Sequence, residues 1–191
     1  ENKKDHFQID LENLENLNIK IEELKKLLDN RPVKALINNA AISPKNENNQ
    51  RLGFMDTSLE LWQKVFNVNF FAPILMSKAL IENLQSARGM VINVTSIASD
   101  MVHEFAGPAY GTSKAALLRL SKSISIQYAK YKIRSNSILP GPIDTPMQKR
   151  WKINPLAKKN LSKNIPLQRI GLPKDIANAS IFLLSDQSEF I

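Results

Sequence analysis

Apolar residues recur along the chain with two different periods. Short apolar or β-branched runs are typical of buried strands, and apolar positions three and four residues apart are typical of amphipathic helices. The predicted strands are residues 7–9, 33–37, 91–94 and 133–139. The predicted helices are residues 14–28, 57–84, 110–130 and 174–184. This alternation predicts an α/β fold, with a parallel sheet and helices on both of its faces.

The composition narrows the kinds of chemistry available to the chain. A length of 191 residues, with 43% hydrophobic and 23% charged residues, favours one globular domain. The chain has no cysteine and only two histidines, so we expect neither disulfides nor a metal site. No apolar run approaches the roughly eighteen residues of a membrane span, so we expect a cytoplasmic protein without a membrane partner.

The net charge of +8 raises the question of a nucleic-acid partner. The basic residues are scattered through both halves of the chain, with modest clusters only at residues 149–152 and 158–159. No aromatic-rich platform for single strands accompanies them. We therefore expect a solvated basic surface and no nucleic-acid partner.

Residues 91–114 concentrate the polar groups best suited to catalysis. The strand at residues 91–94 ends at the hydroxyls of Thr95 and Ser96, and strand ends are where α/β sheets place chemistry. Tyr110 and Lys114 are four residues apart on a predicted helix, so they share one face. A nearby ammonium favours the phenolate, so we expect Lys114 to lower the pKa of Tyr110 for proton exchange. This spacing alone is also common on surface helices.

Ser96 followed by the sequence YGTSK resembles the Ser and Tyr-x-x-x-Lys signature of the short-chain dehydrogenase/reductase family. Four other segments resemble the family in the same order. Residues 36–41 read LINNAA, residues 67–69 read NVN, residues 139–145 read LPGPIDT and residues 166–173 read PLQRIGLP. The resemblance extends over nearly the whole chain and implies a Rossmann-like doubly wound parallel sheet in one partial domain, residues 1–191.

The resemblance also implies an NAD(P)-dependent oxidoreductase that interconverts a small-molecule alcohol and a carbonyl. Tyr110 would exchange the substrate proton, and Lys114 would lower its pKa. Tyr110 and Lys114 would also contact the cofactor, Lys114 at the nicotinamide ribose. Ser96 would orient the substrate oxygen, with Ser99 as a second choice. Asn69 would support a proton relay, a role for which Asn67 is the competitor.

Further cofactor contacts follow from the resemblance. Asp10 and Leu11 would hold the adenine, although an aspartate before a helix is equally well explained as an N-cap. Asn39 would contact the cofactor, or would only brace neighbouring strand ends. The backbone of Ile143 would meet the nicotinamide carboxamide, and the Thr145 hydroxyl would lie near the carboxamide or the pyrophosphate. Residues 146–165 would cover the substrate.

The chain departs from the family pattern at its two ends. It contains no glycine-rich Gly-x-x-x-Gly-x-Gly turn. The resemblance implies that the family's first strand, first helix and second strand are absent from this chain, as is its last strand. We expect that the chain is part of a longer homo-oligomeric enzyme that binds NAD or NADP. The alternative is a cofactor-free interaction or scaffold protein with the same fold. An enoyl reductase is disfavoured because those enzymes usually have six residues, not three, between the tyrosine and the lysine.

Overall fold

The computed structural model describes residues 6–102, 105–148 and 154–191. Strands and helices alternate over much of this length, as the hydrophobic pattern predicts. The strands are β1 (Ala35–Asn38), β2 (Met90–Val94) and β3 (Arg134–Ile138). The helices are α1 (Leu14–Leu28), α2 (Leu59–Phe66), α3 (Ala72–Ala79), α4 (Ile81–Ala87), α5 (Pro108–Tyr128), α6 (Pro155–Lys163) and α7 (Pro173–Leu184).

The three strands form one parallel sheet in the order β1-β2-β3. In its register Asn38 lies beside Asn93, and Asn93 lies beside Ser137. All three strands therefore end at the same edge of the sheet. The loops that follow them meet at that edge, which is where ligands bind in open α/β sheets.

Helices lie on both faces of the sheet. On one face α4 and α5 cover β2, and the buried cluster between them consists of Leu80, Leu84, Val91, Ile124 and Ile133. On the other face α7 packs against β3. There the Arg134 guanidinium donates to the carbonyl of Leu183 at 2.9 Å, near the end of α7. The predicted doubly wound arrangement is confirmed.

The predicted long helix of residues 57–84 is broken in two places. A π-helical turn, Asn67–Phe71, separates α2 from α3, and Leu80 leaves helical geometry between α3 and α4. The bend between Leu59–Ala79 and Ile81–Ala87 is 58°. The π turn inserts one extra residue into the helix, a feature that often accompanies functional sites.

Two predictions from the sequence need correction. Residues 7–9 form no strand, since no strand among the described residues pairs with them. Ile9 instead packs, with Leu11, against the small core between α1 and α3. The sequence predicts a substrate-covering loop at residues 146–165, but this segment includes the helix α6, whose N-cap Asn154 accepts a hydrogen bond from the Ala157 amide. Residues 149–153 lie outside the described residues, as does the basic cluster predicted there.

Candidate active site

A cleft with a volume of about 430 Å³ opens at the carboxyl edge of the sheet. The loops after β1, β2 and β3 line it, together with the first turns of α5 and α7. Six of the nine residues singled out from the sequence line this cleft: Asn39, Ser96, Tyr110, Lys114, Ile143 and Thr145. Residues that are far apart in the chain are thus brought into one site.

Ser96, Tyr110 and Lys114 form the polar centre of the cleft. Ser96 follows β2, and its side chain lies close enough to the Tyr110 phenol to influence the pKa of that phenol. Lys114 is 1% exposed, its ammonium donates to the Val94 carbonyl at 2.7 Å, and it lies 6.0 Å from the centre of the Tyr110 ring. Ser99 does not line the cleft, and its hydroxyl donates to the Ser96 carbonyl. Of the two candidate serines, Ser96 is therefore the one that lines the cleft.

The pKa values of Tyr110 and Lys114 are set mainly by burial. Burial raises the pKa of the Tyr110 phenol, and the Ser96 side chain offsets part of that rise. Burial lowers the pKa of Lys114 to about 8. Burial of the phenol sets the direction of the Tyr110 pKa shift. The expectation that Lys114 lowers the pKa of Tyr110 stays a prediction. Tyr110 is thus held in its protonated form, as a proton donor must be.

Asn69 lies behind the cleft within the π turn and is fully buried. Its amide nitrogen donates to the Ile42 carbonyl at 2.9 Å and to the Ser113 hydroxyl at 3.1 Å, and its oxygen accepts from the Ile42 amide at 2.8 Å. The Ser113 hydroxyl in turn donates to the Tyr110 carbonyl at 2.8 Å. Asn69 therefore connects the loop after β1 to the first turn of α5. Asn67 lies at the periphery, where it donates to the Glu12 carbonyl.

Two adjacent amides at the end of β1 have separate roles. Asn38 is buried and donates to the Asn93 side-chain oxygen at 2.8 Å, so it braces β1 against β2. Asn39 is exposed and lines the cleft. Asn38 therefore has the bracing role that the sequence left open for Asn39. Asn39 lines the cleft, where a ligand can reach its amide.

The loop after β3 is held in place by the Gly171 backbone. The Asp144 amide donates to the Gly171 carbonyl at 2.9 Å, and the Gly171 amide donates to the Pro142 carbonyl at 3.0 Å. A Cβ on residue 171 would meet the end of the Ile143 side chain, which would have to shift. This pairing presents Ile143 and Thr145 to the cleft.

Asp10 and Leu11 do not line the cleft. The Asp10 carboxylate accepts from the Glu12 amide at 2.9 Å, and Leu11 packs with the α1–α3 core. The N-cap of α1 is Asn13. The adenine contacts expected for Asp10 and Leu11 therefore stay predictions.

The sequence reasoning missed Lys45, which also lines the cleft. It lies in the polar loop after β1, and its ammonium donates to the Phe105 carbonyl at 3.0 Å. A lysine in an asparagine-rich loop gave no periodic signal. Only its position soon after a strand end could have drawn attention to it.

Within residues 6–102, 105–148 and 154–191, no group of three histidine, aspartate or glutamate side chains could hold a metal ion. Over the same residues, no single helix has the length and apolar character needed to cross a membrane. The bent pair Leu59–Ala79 and Ile81–Ala87 meets that requirement only by length and composition.

Comparison with known proteins agrees with this geometry. A family model described as "Enoyl-(Acyl carrier protein) reductase" matches residues 1–191. Protein FixR of Bradyrhizobium diazoefficiens is 43% identical over 187 residues, covering 98% of this chain and 66% of that protein. The 2-(R)-hydroxypropyl-CoM dehydrogenase of Xanthobacter autotrophicus is 33% identical over 163 residues, covering 83% of this chain and 62% of that protein.

A solved structure of 4-hydroxyisoleucine dehydrogenase complexed with NADH is 31% identical and superposes with a TM-score of 0.83, covering 96% of this chain and 73% of that one. The chain therefore belongs to the short-chain dehydrogenase/reductase family, a family of oxidoreductases with a Rossmann-like fold. It spans between about half and two thirds of the length of its curated relatives.

Proposed function

We propose that the protein is an NAD(P)-dependent oxidoreductase that interconverts an alcohol and a carbonyl. The observation that carries this proposal is the placement of Ser96, Tyr110 and Lys114 in one cleft. The names of the similar proteins support it, since a hydroxypropyl-CoM dehydrogenase and a hydroxyisoleucine dehydrogenase both act on an alcohol.

A nicotinamide cofactor fits the residues that line the cleft. The cleft lies at the carboxyl edge of a parallel sheet, where dinucleotides bind in this fold. The Ile143 backbone would meet the nicotinamide carboxamide, and the Thr145 hydroxyl would lie near the carboxamide or the pyrophosphate. The exposed amide of Asn39 and the Tyr110 side chain would also contact the cofactor, and Lys114 would hold the nicotinamide ribose. When bound, the cofactor supplies or accepts a hydride at the nicotinamide ring.

The chain's own groups handle the proton. Ser96 orients the substrate oxygen beside Tyr110 through its hydroxyl, which lies close to the phenol. Because burial raises its pKa, Tyr110 carries its proton at neutral pH and can donate it to the oxygen of a carbonyl substrate. Lys114 then stabilises the phenolate that this step leaves behind. Asn69 supports the relay by fixing the first turn of α5.

The substitution Tyr110→Phe tests this assignment. It removes the proton donor but keeps the ring, so we expect turnover to fall by about 10²- to 10⁴-fold while the thermal midpoint changes little. Tyr128→Phe on the same helix is the control, because Tyr128 packs against the core and does not line the cleft. Turnover of a carbonyl substrate is followed by nicotinamide absorbance with NADH and with NADPH. Turnover retained in Tyr110→Phe would refute the role.

Two other activities make different predictions. A cofactor-free interaction protein would bind neither NADH nor NADPH, so calorimetric titration of the product of the full reading frame separates it from an enzyme. An enoyl reductase would reduce an enoyl thioester in preference to a 3-oxoacyl thioester. The three residues between Tyr110 and Lys114 favour carbonyl reduction.

We also propose a cytoplasmic homo-oligomer whose residues 146–165 cover the substrate. Met147 and Gln148 in that segment line the cleft, which supports a covering role. Apolar side chains are exposed on α2, on the π turn and on α5, at Leu59, Phe71 and Ile126. Light scattering of the purified protein measures the oligomeric state, and fractionation of cells measures the location.

A further inference from the structure

Arg169 and Asp175 form an ion pair at the start of α7 that has no part in the proton chemistry above. The Arg169 guanidinium donates to both oxygens of the Asp175 carboxylate, at 2.7 and 3.2 Å. Two hydrogen bonds between one guanidinium and one carboxylate fix the orientation of the two side chains as well as their distance. Arg169 lies in the segment that precedes α7, and Asp175 lies in the first turn of that helix. The pair therefore ties the segment to the helix.

The Asp175 carboxylate holds the same segment at a second point. One of its oxygens also accepts a hydrogen bond from the Leu172 amide at 2.8 Å, as part of the N-terminal capping of α7. Ile170 and Gly171 are the two residues between Arg169 and Leu172. Asp175 therefore clamps this dipeptide on both sides, and Ile170 is itself buried.

The clamped dipeptide holds the loop after β3. The Gly171 carbonyl accepts from the Asp144 amide, and the Gly171 amide donates to the Pro142 carbonyl, so Gly171 pairs with the backbone on either side of Ile143. The Ile143 side chain also lies directly against Gly171. Ile143 and Thr145 line the cleft. A shift of Gly171 would therefore move the part of the loop that faces a ligand.

The ion pair can fix this loop without adding much to global stability. The side chains of Arg169 and Asp175 are 52% and 40% exposed, and exposed ion pairs contribute little to the free energy of unfolding. Asp175 is, however, on a helix that packs against β3, so it has a rigid support. The clamp transmits that rigidity to Gly171 and the loop. A loop that is already ordered loses less conformational entropy when it binds a ligand.

We propose that Arg169 and Asp175 are positioning residues for the nicotinamide cofactor, which act through Gly171 to hold the Ile143 backbone in place. The inference rests on the proposed function, in which the Ile143 backbone meets the nicotinamide carboxamide. It assigns a role in cofactor affinity to two side chains that do not themselves line the cleft.

The first test measures cofactor binding and turnover in variants of the product of the full reading frame. Arg169→Gln removes the guanidinium, and Asp175→Asn removes the charge but keeps an oxygen for the Leu172 amide. We expect each to raise the Kd and KM of the cofactor by about 3- to 10-fold, with little change in kcat or in the KM of the carbonyl substrate. The double variant should bind the cofactor no more weakly than either single variant, because both break one contact.

Two further variants complete this comparison. Arg169→Lys keeps the charge but not the two-pronged contact, so it should recover part of the lost affinity. Arg119→Gln is the matched control, because it removes an exposed guanidinium from α5 and should leave cofactor binding unchanged.

The second test follows the loop itself, without any cofactor. Hydrogen exchange of the Asp144 amide, measured by NMR, reports on its bond to the Gly171 carbonyl. We expect exchange to be about 3- to 10-fold faster in Arg169→Gln than in the wild type, with a change in thermal midpoint of less than about 3 °C. Arg119→Gln should exchange like the wild type.

Three results would overturn the proposal: unchanged exchange of the Asp144 amide, faster exchange with unchanged cofactor affinity, or equal increases in KM for cofactor and carbonyl substrate. The last result would indicate a general loosening of the fold. If the wild type binds neither NADH nor NADPH, the proposed function fails, and the exchange of the Asp144 amide decides the inference by itself. Faster exchange in Arg169→Gln would then sustain the coupling between the ion pair and the loop, and unchanged exchange would refute it.

Discussion

Replacing Lys114 by methionine tests the electrostatics of the cleft through protein stability. The Lys114 side chain is 1% exposed, and burial lowers its pKa from 10.5 to about 8. That difference corresponds to about 3 kcal/mol of cost for keeping the ammonium charged inside the folded protein. Methionine removes the charge and fills a similar volume.

The gain is partly offset by the lost hydrogen bond. Without Lys114 the Val94 carbonyl loses the donor now at 2.7 Å, which costs about 1–3 kcal/mol when that oxygen stays buried. Near neutral pH the methionine variant should therefore be as stable as the wild type or up to about 2 kcal/mol more stable. Its turnover should be lost, because the phenolate of Tyr110 would have no cation beside it.

The pH dependence is the sharper observable. The folded pKa of Lys114 lies below the unfolded value, so between about pH 8 and pH 10.5 the unfolded chain binds more protons than the folded one. The free energy of unfolding of the wild type therefore rises with pH through this window, by about 1.4 kcal/mol per unit of pH, and stops rising above it. The methionine variant lacks this rise, so its advantage should shrink as the pH is raised.

Urea unfolding of both proteins across that pH range measures the difference. Lys122→Met on the same helix is the control, since it removes an exposed lysine and should leave the shape of the pH curve unchanged. Parallel curves for wild type and Lys114→Met would show that Lys114 titrates alike in the folded and unfolded states. The argument from burial would then be wrong.

Two further substitutions probe how the site is supported. Asn69→Ala should lower the free energy of unfolding by about 2–4 kcal/mol, because it leaves both backbone groups of Ile42 without their buried partner. Asn67→Ala, at the periphery, is the control and should cost less than about 1 kcal/mol. Equal losses in urea unfolding would contradict this expectation. Arg134→Ala removes the donor to the Leu183 carbonyl, so it should speed hydrogen exchange in residues 181–191. Arg134→Lys should restore part of the protection. Unchanged exchange in Arg134→Ala would show that α7 is held by packing alone.

Much of the fold follows from local patterns. The strands and helices that the sequence predicts at residues 14–28, 91–94 and 174–184 occur within one residue of those bounds, because each has a strong apolar period or a β-branched run. The β1 strand begins two residues later than predicted, at Ala35. The break at Leu80 gave no signal in the apolar pattern.

Some outcomes depended on partners that are distant in the chain. Residues 7–9 have the composition of a strand, but a strand forms only where a neighbour offers its hydrogen bonds. The direction of the Tyr110 pKa depended on how deeply α5 and the loop after β2 enclose the phenol, which no spacing reveals. The division of labour between Asn38 and Asn39 depended on which amide faces Asn93 across the sheet.

The sequence by itself determined the family, the parallel α/β class and the identities of Ser96, Tyr110 and Lys114. These conclusions depend on residue types and their spacing, which can be recognised without any knowledge of packing. Only the tertiary structure decided that these residues share a cleft with Asn39, Ile143 and Thr145, and that Lys45 joins them. The reason is physical: parallel strands end at one edge of a sheet, so loops separated by many residues meet there. Burial and charge in the cleft depend on which side chains these loops bring together.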